Sequence, residues 1–184
     1  MAMDEEIKKA FEKSKSGTKD EQYEAYLDIL EITNQEVDWA YEVWDQLLED
    51  LSHTNNHQRS RAAQYLANLA AKSDPENRMV TDFPQLWEVT KDKRFVTARH
   101  SLQAIWKVGL AGKAQRDLVM DAMVDRFENG TEEKNYTLIR SDILENMKQL
   151  YEHLEDESIK NEAMRLIELV DDPKYKKKYQ KIWN

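Results

Sequence analysis

Along most of the chain, apolar residues recur at the i, i+3, i+4, i+7 spacing of a helix with one buried face. Val37, Ala40, Tyr41, Trp44, Leu47, Leu48 and Leu51 form one such stripe. Ile139, Ile143, Met147, Leu150, Tyr151 and Leu154 form another, and Ile159, Ala163, Leu166, Ile167 and Val170 a third. None is apolar all round, and no heptad is sustained across several helices, which argues against a long coiled coil. Punctuation residues cut the pattern into pieces. Thr18-Lys19-Asp20-Glu21 and Thr33-Asn34-Gln35-Glu36 both fit the capping box, a hydroxyl followed three residues later by a carboxylate. Asp74-Pro75, Phe83-Pro84 and Asp172-Pro173 put proline where a first helical turn needs no amide hydrogen. Gly17, Gly112 and Gly130 fall in the breaks. The pattern predicts about ten helices, over 4–15, 19–32, 35–52, 56–72, 83–91, 93–110, 113–128, 132–154, 157–170 and 173–182.

Some of these helices repeat one another. The stretch from Arg59 to Leu69 aligns with Phe95 to Ile105 and with Arg140 to Leu150. The alignment places Ala62, Ala98 and Ile143 at one buried position and Leu66, Leu102 and Met147 at the next. Amphipathic helices lie between the copies, so the repeating unit is a helix pair. A helix with such a stripe needs a partner on either side, and stacked pairs supply it. The expected fold is all-α: an α-solenoid of about five stacked antiparallel helix pairs in one domain over 1–184. Its clearest repeats lie within 34–170, and 171–184 is a terminal capping helix.

These residues resemble HEAT and armadillo repeats. That phrase is a turn with an acidic or amide residue, an apolar-Arg pair, two small residues and a Leu one turn on. Asn56, Arg59, Ala62-Ala63 and Leu66 are similar to it, and Ile139-Arg140 and Ile159-Lys160 match its apolar-basic pair. Phe95 stands where the second copy would carry the arginine. The tetratricopeptide pattern, with its fixed period of ~34 residues, fits less well. The resemblance implies a curved right-handed stack whose inner wall is built by the second helices and binds other macromolecules.

Composition narrows the class. The chain has 184 residues, 40% of them apolar, with five Trp, four Gly, three Pro and no Cys. That suffices for a packed core, and it excludes disulfides and thiolate chemistry. No segment approaches the ~20 apolar residues of a membrane span, and the start lacks the pattern of a secretory signal. A cytoplasmic protein is expected. Net charge is −9, unevenly spread. Residues 1–50 carry 15 acids against 5 lysines, whereas 51–110 carry 5 acids against 9 bases. An acidic first quarter repels nucleic acid, and a basic middle attracts an anionic partner.

The buried stripe also fixes what lies opposite. At 100° per residue, the far face of the fourth helix carries His57, Arg61, Gln64 and Asn68. Lys93, Thr97, His100 and Lys107 occupy that face in the sixth, and Asp142, Glu145, Gln149 and Glu152 in the eighth. His57, Arg61, Gln64, Lys93, His100 and Lys107 are therefore the candidate partner-binding residues, suited to a protein or acidic peptide. Any exposed helix face is polar, which is the plainer account. Trp44 and Trp106 fall in core positions. His53 and His57 have the i, i+4 spacing of zinc ligands, but Thr54-Asn55-Asn56 breaks the helix between them, so no metal is expected. No phosphate loop, serine elbow or dinucleotide fingerprint occurs. No cofactor and no catalysis are expected. The alternative is a HEAT-like DNA-binding protein similar to bacterial alkylpurine DNA glycosylases. Those enzymes resemble one another in a basic wall with a Trp and a catalytic Asp one turn apart. Here Trp87 meets Lys91 four residues on, and Asp92 is one step too far.

Overall fold

The computed structural model describes residues 3–184 and contains ten α-helices with one 3-10 segment, and no strand among the described residues. The helices are α1 (Glu5–Ser16), α2 (Lys19–Thr33), α3 (Ala40–Asp50), α4 (Asn56–Lys72), α5 (Arg78–Val89) and α6 (Phe95–Ala104). After the 3-10 segment Ile105–Leu110 come α7 (Lys113–Asn129), α8 (Tyr136–Leu154), α9 (Glu157–Glu168) and α10 (Pro173–Trp183). The chain forms two compact units, Met1–Ala104 and Ile105–Asn184. No helix of the described residues is long and apolar enough to cross a membrane.

In the first unit α4 is the hub. Helices α2, α3, α5 and α6 all pack on it. Ala62, Ala63, Ala67 and Ala70 are buried and let neighbouring backbones approach, while Tyr65, Leu66 and Leu69 fill the gaps between them. The amide side chains buried on the same helix find partners. The Gln58 side chain donates to the Ser14 carbonyl at 2.8 Å, and Asn68 Nδ2 donates to Thr33 Oγ1 at 3.0 Å. Around α4, Trp44 is fully buried and donates from Nε1 to Asp82 at 2.9 Å. Trp39 packs edge-on against Phe11, with ring centroids 5.9 Å apart.

In the second unit α8 plays that part. Its Ile143, Leu144, Met147 and Leu150 are fully buried, and α7, α9, α10 and the 3-10 segment pack on it. Helix α10 lays Tyr179 into this core beside Phe127, and its hydroxyl donates to the Thr137 carbonyl at 2.8 Å. Burial pushes the Tyr179 phenol up to about 12.

Every aligned core position is buried: Ala62, Ala98 and Ile143; Leu66, Leu102 and Met147; Leu69, Ile105 and Leu150. The aligned arginines also share a task. Arg59 Nη1 donates to the His53 carbonyl at 2.8 Å, just past the end of α3. Arg140 donates from Nε and Nη2 to the Phe127 carbonyl in the last turn of α7, at 3.0 and 2.7 Å. Arg140 thus satisfies a carbonyl that the end of α7 leaves open, and Arg59 one in the turn that follows α3. Phe95, at the same place in α6, has no such donor.

Several boundaries differ from the sequence pattern, each for a local reason. Helix α3 begins at Ala40 rather than 35, because Thr33 is not a cap. Its hydroxyl donates back to the Ile29 carbonyl at 2.7 Å in the last turn of α2. Helix α5 begins at Arg78 rather than 83, so Pro84 lies inside it and not at its start. The Asp74 carboxylate explains this by accepting the Arg78 and Met79 amides at 2.8 and 2.9 Å. The helix expected over 93–110 is α only from Phe95 to Ala104. Helix α8 begins at Tyr136 after Asn135, whose φ of 64° is left-handed. Thr18 does form its capping box with Glu21, and Pro173 does start α10.

Candidate functional site

Helix α4 carries three of the six candidate residues, and the helices packed on it decide how much of each is seen. His57 sits in the first turn and is exposed, its amide donating to Asn55 Oδ1 at 2.8 Å. Arg61, one turn on, is half-buried with its guanidinium 4.8 Å from the centre of the Tyr26 ring of α2, a cation–π contact. Gln64, a further turn along, accepts a 2.7 Å hydrogen bond from the Tyr26 hydroxyl and donates to Ser60. The row therefore continues under α2. Asn68, expected to face outward with these residues, is buried, because α2 crosses this end of α4 and Thr33 receives its amide.

Tyr26 is thus the residue that organises this face, and the apolar stripe of α4 gave no sign of it. Its ring lies 6.2 Å from Tyr65 and 6.0 Å from Tyr23. Burial raises the Tyr26 phenol above its ordinary range, and it raises that of Tyr65 further. The Tyr65 hydroxyl is buried with no hydrogen-bond partner among the described residues.

The other exposed residues gather at the start of α6. Lys93 and Arg94 lie in the turn before the helix, His100 on its outer face, and all three are exposed. Val96, one turn before His100, is 65% exposed. Asn56 Nδ2 donates to Thr97 Oγ1 at 3.3 Å, which brings the first turns of α4 and α6 together, with His57 beside the contact. Thr97 is buried by that contact and does not face outward as expected.

Between Val89 and Arg116 the sequence contains one acid, Asp92. It does not face solvent. Arg59 grips it with Nε at 2.6 Å and Nη2 at 3.1 Å, and the two side chains are 10% and 8% exposed. Burial alone would raise the Asp92 carboxyl, but Arg59, the Arg94 amide and nearby Lys93 outweigh it and hold the group below the usual carboxylate range. The Arg59 guanidinium is correspondingly raised. The bases flanking the buried acid, Lys91, Lys93 and Arg94, all stay exposed.

Lys107 belongs to the second unit. It is half-buried in the 3-10 segment, with Nζ 6.0 Å from the Trp106 ring. Trp106 is only half-buried, beside the His153 ring at 4.8 Å, whereas Trp39, Trp44 and Trp87 are buried. Of the α8 row, Glu145, Gln149 and Glu152 are exposed and Asp142 is buried. His53 precedes α4 in the turn, where its Nδ1 accepts the Asn55 amide at 2.9 Å. The described residues contain no cluster of three groups able to hold a metal ion. Comparison with known proteins returns no match: no family model, curated protein or solved structure aligns with the chain.

Proposed function

We propose that this protein is a non-enzymatic helical-repeat scaffold that binds an acidic protein segment along the second helices of its repeats. The binding residues in the first unit are His57, Arg61, Gln64, Lys93 and His100. The fold underlying this reading is a HEAT- or armadillo-like stack of antiparallel helix pairs. It is supported by side-chain links that recur about one repeat apart. Arg59–Asp92 spans 33 residues, Lys15–Asp50 35 and Trp44–Asp82 38 in the first unit. In the second, Arg116–Asp156 spans 40 and Lys148 to the Ile182 carbonyl 34.

One observation carries the functional reading: the burial of Asp92 under Arg59. It takes the one acid between Val89 and Arg116 off the surface and leaves Lys93, Arg94 and His100 exposed around an exposed Val96. Positive charge around an apolar contact suits a segment that is acidic and amphipathic. The DNA-processing alternative gains less support. Trp87 is buried against Phe83 at 6.0 Å, and Asp92 is committed to Arg59. The net charge of −9 also opposes a phosphate backbone.

Fluorescence anisotropy of the full chain against labelled acidic helical peptides and a DNA duplex separates these readings. Acidic peptides should bind, and Lys93→Glu with His100→Glu should weaken them at least about tenfold, since rim charges act through screened, long-range attraction. Binding of the duplex in preference to every acidic peptide would overturn the proposal.

A further inference from the structure

Outside that face, the surface carries two charged helix stripes of opposite sign and similar shape. On α2, Asp20, Tyr23, Glu24, Leu27 and Glu31 are all exposed, and at 100° per residue they fall within an arc of about 100°. Asp28 flanks them and is also exposed. Tyr23 and Leu27 are 52% and 45% exposed, so this stripe has two apolar residues set among four carboxylates. On α10, Lys174, Lys177, Lys178 and Lys181 are all exposed and occupy an arc of the same width, about 100°. That helix contains five lysines and no acid. Its fifth lysine, Lys176, is half-buried and pairs with Glu168. Among the described residues, none of the four stripe lysines and none of the four α2 acids is in a salt bridge.

We infer that these stripes recognise each other between molecules: α10 of one copy docks on α2 of a second copy. The acidic row runs over about 16 Å from Asp20 to Glu31 and the lysine row over about 10 Å, so the shorter fits wholly within the longer. Both rows advance at helical i, i+3, i+4 spacing, which lets carboxylates and ammonium groups alternate along one crossing. Tyr23 and Leu27 give the lysine methylenes an apolar surface to lie on while the charged ends reach the flanking acids. The contact joins two different surfaces. It is therefore heterologous, and each copy that docks its α10 still offers its own α2 to another. Exposed charge pairs are individually weak. The association should be salt-sensitive, rising with protein concentration.

Sedimentation velocity on the full chain tests this with two variants. One replaces Lys174, Lys177, Lys178 and Lys181 by Gln. The other carries Asp20→Asn, Glu24→Gln, Asp28→Asn and Glu31→Gln. The unaltered chain should associate at about 20 mM salt and do so at least about tenfold more weakly at about 500 mM, as screening shortens the reach of exposed charges. Each variant alone should stay monomeric. An equal mixture should give a one-to-one pair and nothing larger, because a single intact α10–α2 contact remains. A monomer at every concentration in low salt, a variant that still associates, or a mixture that fails to pair overturns the inference. Vesicles of phosphatidylglycerol and phosphatidylcholine supply the competing occupant. Lysine-dependent cosedimentation with them, without self-association, assigns the α10 stripe to an anionic lipid surface instead and likewise overturns it. Circular dichroism confirms that each variant is folded, and Lys177→Gln with Lys181→Gln replaces the fourfold change if helicity is lost.

Discussion

Arg59 and Asp92 show how much a pair of side chains decides. The two are buried together, and Arg59 also closes the turn after α3 through the His53 carbonyl. Replacing Asp92 by Ala leaves a buried guanidinium without its counter-charge, which should cost about 3 kcal/mol in denaturant unfolding. The pair also sets a pH dependence. The Asp92 carboxyl is held below its ordinary range in the folded chain. Its stabilising effect is therefore complete above the unfolded value of about 3.9 and is lost as pH falls through the lower folded value. The wild-type chain should lose stability over that acid range by more than Asp92→Ala does. Equal acid sensitivity would remove Asp92 from the account. Leu66, fully buried on α4, gives the apolar counterpart: Leu66→Ala should cost roughly 2–5 kcal/mol by the same measurement.

At the scale of the element, the 3-10 segment shows tertiary contact overriding a continuous helical stripe. In an α-helix the Trp106 amide would bond four residues back. Here it donates to Asn146 Oδ1 of α8 at 3.0 Å. The tightened turn carries Gly109 against α8, where a Cβ would lie 2.8 Å from Leu150 Cδ2. Leu150 is fully buried and has little room to move. Gly109→Ala should therefore destabilise by about 1–3 kcal/mol through overpacking, although alanine ordinarily favours helix. An unchanged or raised melting temperature for Gly109→Ala would show that Leu150 yields. Helix α5 makes the complementary point. In the sequence Pro84 points to a start at 83, while the Asp74 carboxylate under Arg78 and Met79, which sets the actual start, is visible only once the turn is folded.

For the molecule as a whole, each unit is organised around one helix, α4 in the first and α8 in the second. Amides in these two helices should be the slowest to exchange with deuterium, because each opens only when all its neighbours release it. Helices α1 and α10, with neighbours on fewer sides, should exchange earlier. Mass-spectrometric hydrogen exchange reads this directly, and equal protection of α1 and α4 would count against it. The uneven charge belongs to this scale too. An excess of acids before residue 50 and of bases between 51 and 110 is a property of the sequence, yet its consequences depend on which charges stay exposed. Asp92 drops out of the surface, and Lys93 does not.

Helix number, the all-α class and the repeated core positions were legible without the structure, because they follow from local periodicity. Each apolar stripe reports its own buried face, and the alignment of Arg59 with Arg140 even located two arginines that each bond a carbonyl at or just past the preceding helix. The candidate face was only partly legible. His57 and His100 are exposed because they lie opposite an apolar stripe with nothing laid over them, and Lys93 because it stands in the turn before α6. Arg61, Gln64 and Asn68 obey the same periodicity, yet α2 covers them in increasing degree through Tyr26, Leu30 and Thr33. Periodicity specifies the direction of a side chain from its own helix axis. Which neighbouring helix meets it there is a long-range choice, made by packing over tens of residues of chain, and only the tertiary structure contains it.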